Sequence, residues 1–112
     1  MIHTTTNLFT GIPAHSQQEL FTTLLAYPQY RIERIVSYGQ SSPDGFWYNQ
    51  TWDEWVLLLQ GSSELDVEGK MVKLVPGDHL LIKSGQKHRV THTDQSQPTV
   101  WVAIHFNEPA KC

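Results

Sequence analysis

Residues 46–61 run FWYNQTWDEWVLLLQG, and the fold turns on how Phe46 to Gly61 are read. The stretch opens with aromatics and amides and carries the acidic pair Asp53-Glu54 at its centre. It then passes through Trp55, Val56, Leu57, Leu58 and Leu59 to a turn at Gln60-Gly61. A short apolar run bounded by turn residues reads as a strand buried on both faces. A carboxylate at the mouth of such a strand is costly to desolvate unless a partner or a metal compensates it. Glu54 is therefore either a solvated strand-end residue, the ordinary place for Glu, or a functional group at the rim of a cavity.

Outward from that run, the chain alternates. Arg31 to Val36 reads as a first strand, with Ile32 and Arg34 on one face and Glu33 and Ile35 on the other. Phe46 to Gln50 and Trp55 to Leu59 read as the next two, joined by a bend at Thr51 to Asp53. Ser63 to Val67 and Lys70 to Val75 alternate polar and apolar around a hairpin turn at Glu68-Gly69. Leu80 to Ile82, His88 to Thr93 and Val100 to Phe106 complete the set, separated by turn-rich loops. Many short strands at near-even spacing predict an all-β sandwich or barrel.

One helix is expected before the strands. Ser16 and Glu19 make a capping-box pattern, Leu20, Phe21, Leu24 and Leu25 follow at helical spacing, and Pro28 stops it. The predicted organisation is an N-terminal segment over 1–30, with a helix over Ser16 to Ala26 packing on the body. The barrel spans 31–106 and a loose tail 107–112. Leu8, Phe9 and Ile12 are apolar anchors near the start, available for pairing two copies.

The chain has 112 residues, enough for one self-sufficient core. Its net charge of −3 is mixed along the sequence, without the basic stripe that nucleic acid demands. The single cysteine, Cys112, excludes an internal disulfide framework. The first residues lack a secretory pattern, and no apolar run is long enough to span a bilayer. A cytoplasmic domain is the expectation.

The run Val75-Pro76-Gly77-Asp78, Leu80-Leu81-Ile82, Gly85-Gln86-Lys87-His88 resembles the second motif of the cupin superfamily. There a Gly-Asp turn leads into an apolar strand, then a proline-x-glycine turn and a His. Gly85 and His88 match; Lys83 stands at the usual proline and His92 at the usual Asn. Counting back from Gly61 through the first motif puts its Glu on Glu54 and its two His on Gln50 and Tyr48. The resemblance covers Arg31 to Phe106 and points to small single-domain bacterial cupins. It implies an antiparallel jelly-roll β-barrel, often a homodimer, with a small-molecule pocket inside.

Cupin metal sites hold Mn, Fe, Ni or Zn through three His and one Glu, donors that suit such ions. By that resemblance Gln50, Glu54 and His88 would bind one divalent metal. An amide oxygen and a phenol of pKa near ~10 replace two imidazoles, which weakens the set. His92 lies four residues beyond His88; on a straight strand the two share a face ~13 Å apart, too far for one ion. His92 is then a pocket-rim residue. His105 faces either the interior or the outside, because the two faces of the last strand are equally apolar. His3, His15 and His79 read as solvated. Tyr48 and Trp52, in parity with Gln50 and Glu54, would line the cavity. Two functions stay open: a metal-dependent enzyme performing an isomerisation, a lyase step or a dioxygenation, and a metal-free module binding a sugar or a carboxylic acid.

Overall fold

The computed structural model describes residues 4–108. His3, Cys112 and the end of the expected tail lie outside the described residues. Eight strands form: β1 (Leu20–Ala26), β2 (Tyr30–Ser37), β3 (Asp53–Gln60), β4 (Ser63–Val67), β5 (Lys70–Leu74), β6 (His79–Ile82), β7 (His88–Thr93) and β8 (Thr99–Phe106). They build a five-stranded antiparallel sheet, β1-β2-β8-β3-β6, and a three-stranded one, β5-β4-β7. A closed barrel was expected. Among the described residues the two sheets instead stay separate ladders, consistent with a jelly roll. No helix there is long and apolar enough to cross a membrane.

The helix expected over Ser16 to Ala26 is absent. Leu20–Ala26 is an edge strand, registered on β2 from Leu20↔Val36 to Ala26↔Arg31. The capping box does not form: Ser16 hydrogen-bonds locally with Gln18, and Glu19 Oε2 accepts from Ser37 Oγ at 2.7 Å. Thr22 and Thr23 disfavour helix mildly. The open edge of β2 offers backbone partners along the whole segment, so tertiary pairing overrides a local pattern. The N-terminal segment is tied on by Arg34, whose Nη1 donates to the carbonyls of Leu8 and Thr10 at 3.0 and 2.9 Å.

The deciding stretch divides in two. Asp53–Gln60 is a strand, but Phe46 to Gln50 is an extended loop with a single bridge, Tyr48↔His88. The strand is not fully buried on both faces: Val56 and Leu58 are buried while Trp55, Leu57 and Leu59 are only half-buried. Gly61 ends it at a φ of 85°, and a Cβ there would lie 2.8 Å from the Thr99 Cα. Only glycine fits both demands. Glu68 and Gly69, both at positive φ, make the two-residue hairpin turn between β4 and β5.

Val56, Leu58, Leu65, Leu74, Ile82, Trp101 and Ala103, drawn from both sheets, form the core. Strand β8 is central to the larger sheet, paired with β2 on one side and β3 on the other. Its alternation puts Trp101, Ala103 and His105 inward together. The end of the sandwich where that row meets Glu54 is polar, and a cavity opens there.

Candidate functional site

The cavity measures about 250 Å³ and lies between the sheets, near the start of β3 and the end of β8. Tyr48, Gln50, Glu54, His88 and His105 all line it, as do Glu19, Glu33 and Trp101. Glu54 stands opposite His105 in the β3–β8 register. Its neighbour Asp53 turns outward. The Ser84 backbone N–H and then the Asn107 amide hold the Asp53 carboxyl below its usual range.

The loop residues are positioned by backbone bonds. Tyr48 and His88 exchange N–H···O bonds of 2.7 and 3.0 Å, and the Gln50 carbonyl accepts from Gly85 at 2.9 Å. Upstream, Arg89 Nη2 donates to the carbonyls of Ser42 and Pro43 at 3.1 and 3.3 Å. Its guanidinium also lies 5.9 Å from the centre of the Trp47 ring. These ties hold the 40–50 loop over the cavity.

Within the cavity, Gln50 Nε2 donates to Glu54 Oε1 at 3.0 Å. His88 is 5% exposed, and its Nδ1 lies 3.1 Å from the Gln86 carbonyl. A carbonyl only accepts, so Nδ1 carries the proton. Nε2 turns towards Glu54 Oε1 at 4.0 Å, beyond hydrogen bonding. The Tyr48 ring stacks on His88 with centroids 5.3 Å apart. Burial, then the charges of Glu19 and Glu54, push the Tyr48 phenol above its usual pKa.

His105 is held differently. Trp52 Nε1 donates to its Nδ1 at 3.0 Å, and its Nε2 lies 2.8 Å from Glu33 Oε1. An indole N–H can only donate. Nδ1 is therefore an acceptor, and Nε2 carries the proton given to Glu33. This bond, with lesser help from the Arg31 guanidinium at 3.1 Å, holds the Glu33 carboxyl below the usual range against its burial.

Two residues expected at the pocket lie elsewhere. Trp52 does not line the cavity but backs His105. His92 is exposed. A bulge in the β4–β7 ladder pairs Leu65 with Val90 and Glu64 with His92, leaving Thr91 as the extra residue. That bulge reverses the inward–outward parity, so His92 leaves the face shared by His88 and Val90. Sequence reasoning did not single out Glu33 or Glu19. The signal for Glu33 was its place on the same face as Ile35.

The implied metal fits this donor set poorly. Among the described residues, no three His, Cys, Asp or Glu side chains are grouped to hold one ion. Gln50 presents its amide nitrogen, a donor, to Glu54, and both nitrogens of His105 are engaged. Among the described residues, His88 Nε2 is the one imidazole nitrogen lining the cavity without a hydrogen-bond partner.

A two-sheet antiparallel sandwich, with a cavity at one end where apolar core side chains meet a few polar ones, defines a jelly-roll scaffold. A family model described as a cupin domain matches residues 34–105, and the chain belongs to that family. A Ralstonia eutropha structure, provisionally named a mannose-6-phosphate isomerase, is 42% identical with a TM-score of 0.89, covering 93% of this chain and 98% of that one. A cupin superfamily protein of Desulfitobacterium hafniense is 21% identical with a TM-score of 0.71, covering 85% and 83%, and supports the fold alone. Human 3-hydroxyanthranilate 3,4-dioxygenase is 29% identical over 98 residues, 88% of this chain but 32% of that protein. The chain thus spans about a third of that relative.

Proposed function

We propose that this cupin binds a small polar organic molecule directly through its side chains, without a resident transition metal. The observation that carries this is the state of the imidazoles: His105 is engaged at both nitrogens, so His88 and Glu54 would face an ion without a second histidine. Tyr48, Gln50, Glu54, His88 and His105 form the binding wall, with Trp52 and Glu33 fixing His105. Of the two ligand types expected, a carboxylic acid suits this wall badly. Three carboxylates line the cavity and no Lys or Arg does. A hydrogen-bond-donating ligand, rich in hydroxyl or amino groups, suits it well.

One observation favours the metal-dependent reading. A His88 ring whose Nδ1–H rests on a carbonyl, with Nε2 free beside a carboxylate, is oriented as metal-ligating imidazoles are. A divalent ion would then supply Lewis acidity, held by His88, Glu54 and a flipped Gln50 amide. Elemental analysis decides between them. Protein purified without a polyhistidine tag, from cells given Mn, Fe, Ni and Zn, is expected to carry almost no metal. A ratio near one ion per chain would reject direct binding.

A further inference from the structure

We propose that the ligand of this cavity is a cation: a small organic ammonium seated against Glu54 and His88, with its hydrocarbon body along Tyr48 and Trp101. The inference rests on the direct-binding reading and names the class of its ligand. It begins from a carboxylate in a cavity that no Lys or Arg lines, with its two nearest imidazole nitrogens at 4.0 Å. Glu54 is 12% exposed at its side chain, and its hydrogen-bond partner is the neutral Gln50 amide at 3.0 Å. A carboxylate withdrawn from water to that degree is costly unless a positive group offsets it.

The protein's own candidates are committed elsewhere. His105 accepts from Trp52 at Nδ1 and gives its proton to Glu33 at 2.8 Å; the same Nε2 stands 4.0 Å from Glu54 Oε2, beyond hydrogen bonding. Arg31 pairs with Glu33 at 3.1 Å. His88 spends its N–H on the Gln86 carbonyl. Its Nε2, in a side chain more than nine-tenths buried, has no hydrogen-bond partner among the described residues and lines the cavity. Glu19 adds a second carboxylate to the wall, and the Ser37 hydroxyl is spent on it.

The charged groups of this otherwise largely apolar wall are therefore carboxylates, with the His88 Nε2 lone pair beside Glu54 and hydroxyl donors only from Tyr48 and serines. An ammonium brings three donors and the missing charge. A neutral polyol fills the acceptors but leaves the charge uncompensated. A carboxylate meets repulsion. A bare divalent ion would have to turn the Gln50 amide over to gain a third donor beside Glu54 and His88.

The test uses the full chain at about pH 8, where an ordinary histidine of pKa ~6.5 is neutral, with EDTA present. Cyclohexylammonium, cyclohexanol, cyclohexanecarboxylate and glucose are titrated separately. NMR follows the His88 and His105 imidazoles and the Trp101 indole. Cyclohexylammonium is expected to bind about tenfold or more tighter than cyclohexanol, since hydrogen bonds to charged groups exceed neutral ones. The carboxylate should leave the signals unmoved. E54Q, checked for an unchanged folded spectrum, should erase the preference. E19Q, a second variant at the wall, should reduce it. If cyclohexanol or glucose moves the same signals at equal or lower concentration, the ligand is not cationic, while direct binding stands. Silence from all four probes also overturns the inference. Stoichiometric metal in the same sample before chelation would instead overturn the reading beneath it.

Discussion

At the scale of single residues, the Trp52–His105–Glu33 chain sets the character of the cavity. An indole donor and a carboxylate acceptor select one neutral tautomer of His105. Trp52→Phe removes the donor and leaves Nδ1 without its partner. The expected cost is about 1 kcal/mol, and the decisive readout is nitrogen NMR. His105 should show a bare Nδ1 and a protonated Nε2 in the wild type, and a mixture in the variant. Glu33 carries a pH signature. Its folded pKa lies below its ordinary value of ~4.3. Its contribution is therefore complete above that value and is lost as pH falls through the folded pKa. Glu33→Gln should lower stability on the order of 1 kcal/mol near neutrality. The gap should close in acid, as read by urea unfolding from about pH 7 to pH 3. Glu54 and His88 were visible in the sequence because motif spacing marks them. Glu33 was not, because a strand carboxylate is ordinarily solvated, and only its diagonal contact with His105 makes it part of a site.

The elements were legible where local chemistry decides them. Glu68-Gly69 announces its hairpin, and the alternation of Ser63 to Val67 survives intact because one face is core and the other water. Gly61 closes the β3 strand under two constraints at once. Gly61→Ala should cost about 1–3 kcal/mol from its backbone conformation, with the approach to Thr99 adding to that, as measured by urea midpoint. Three features depend on distant partners that local sequence does not display. Leu20 to Ala26 has helical spacing, yet its backbone pairs with β2, a strand that periodicity within the segment cannot see. The Thr91 bulge cannot be read from β7 either, because it exists only as a mismatch against β4. The Phe46 to Gln50 loop depends on Arg89 in the same way. Arg89→Ala should leave the sheets folded but expose residues 40–47 to protease. Faster cleavage in that loop at unchanged thermal midpoint is the expected result.

At the scale of the whole molecule, the two sheets differ in width. The larger sheet has five strands against three, and β1 is one of its two edges. Phe21, Leu24, Leu25 and Tyr27 stand exposed along or beside that edge, at 61%, 44%, 41% and 55%. An unpaired strand edge with apolar side chains is a template for pairing with another chain. The cavity reaches towards this side, since Glu19 and Phe21 belong to its lining. A second copy, pairing edge to edge or laying its own β1 over this face, would bury the apolar row and narrow the mouth of the cavity. We therefore expect a homodimer built through β1, in place of the packing helix that the sequence suggested there. Sedimentation at micromolar concentration should give the mass of two chains. Replacing both Leu24 and Leu25 by Lys puts like charges into the interface and should yield monomer with an unchanged β-sheet circular dichroism spectrum. Ligand affinity should fall in that monomer if the partner helps close the cavity, and hold if it does not. A wild-type chain that sediments only as monomer would remove the dimer altogether.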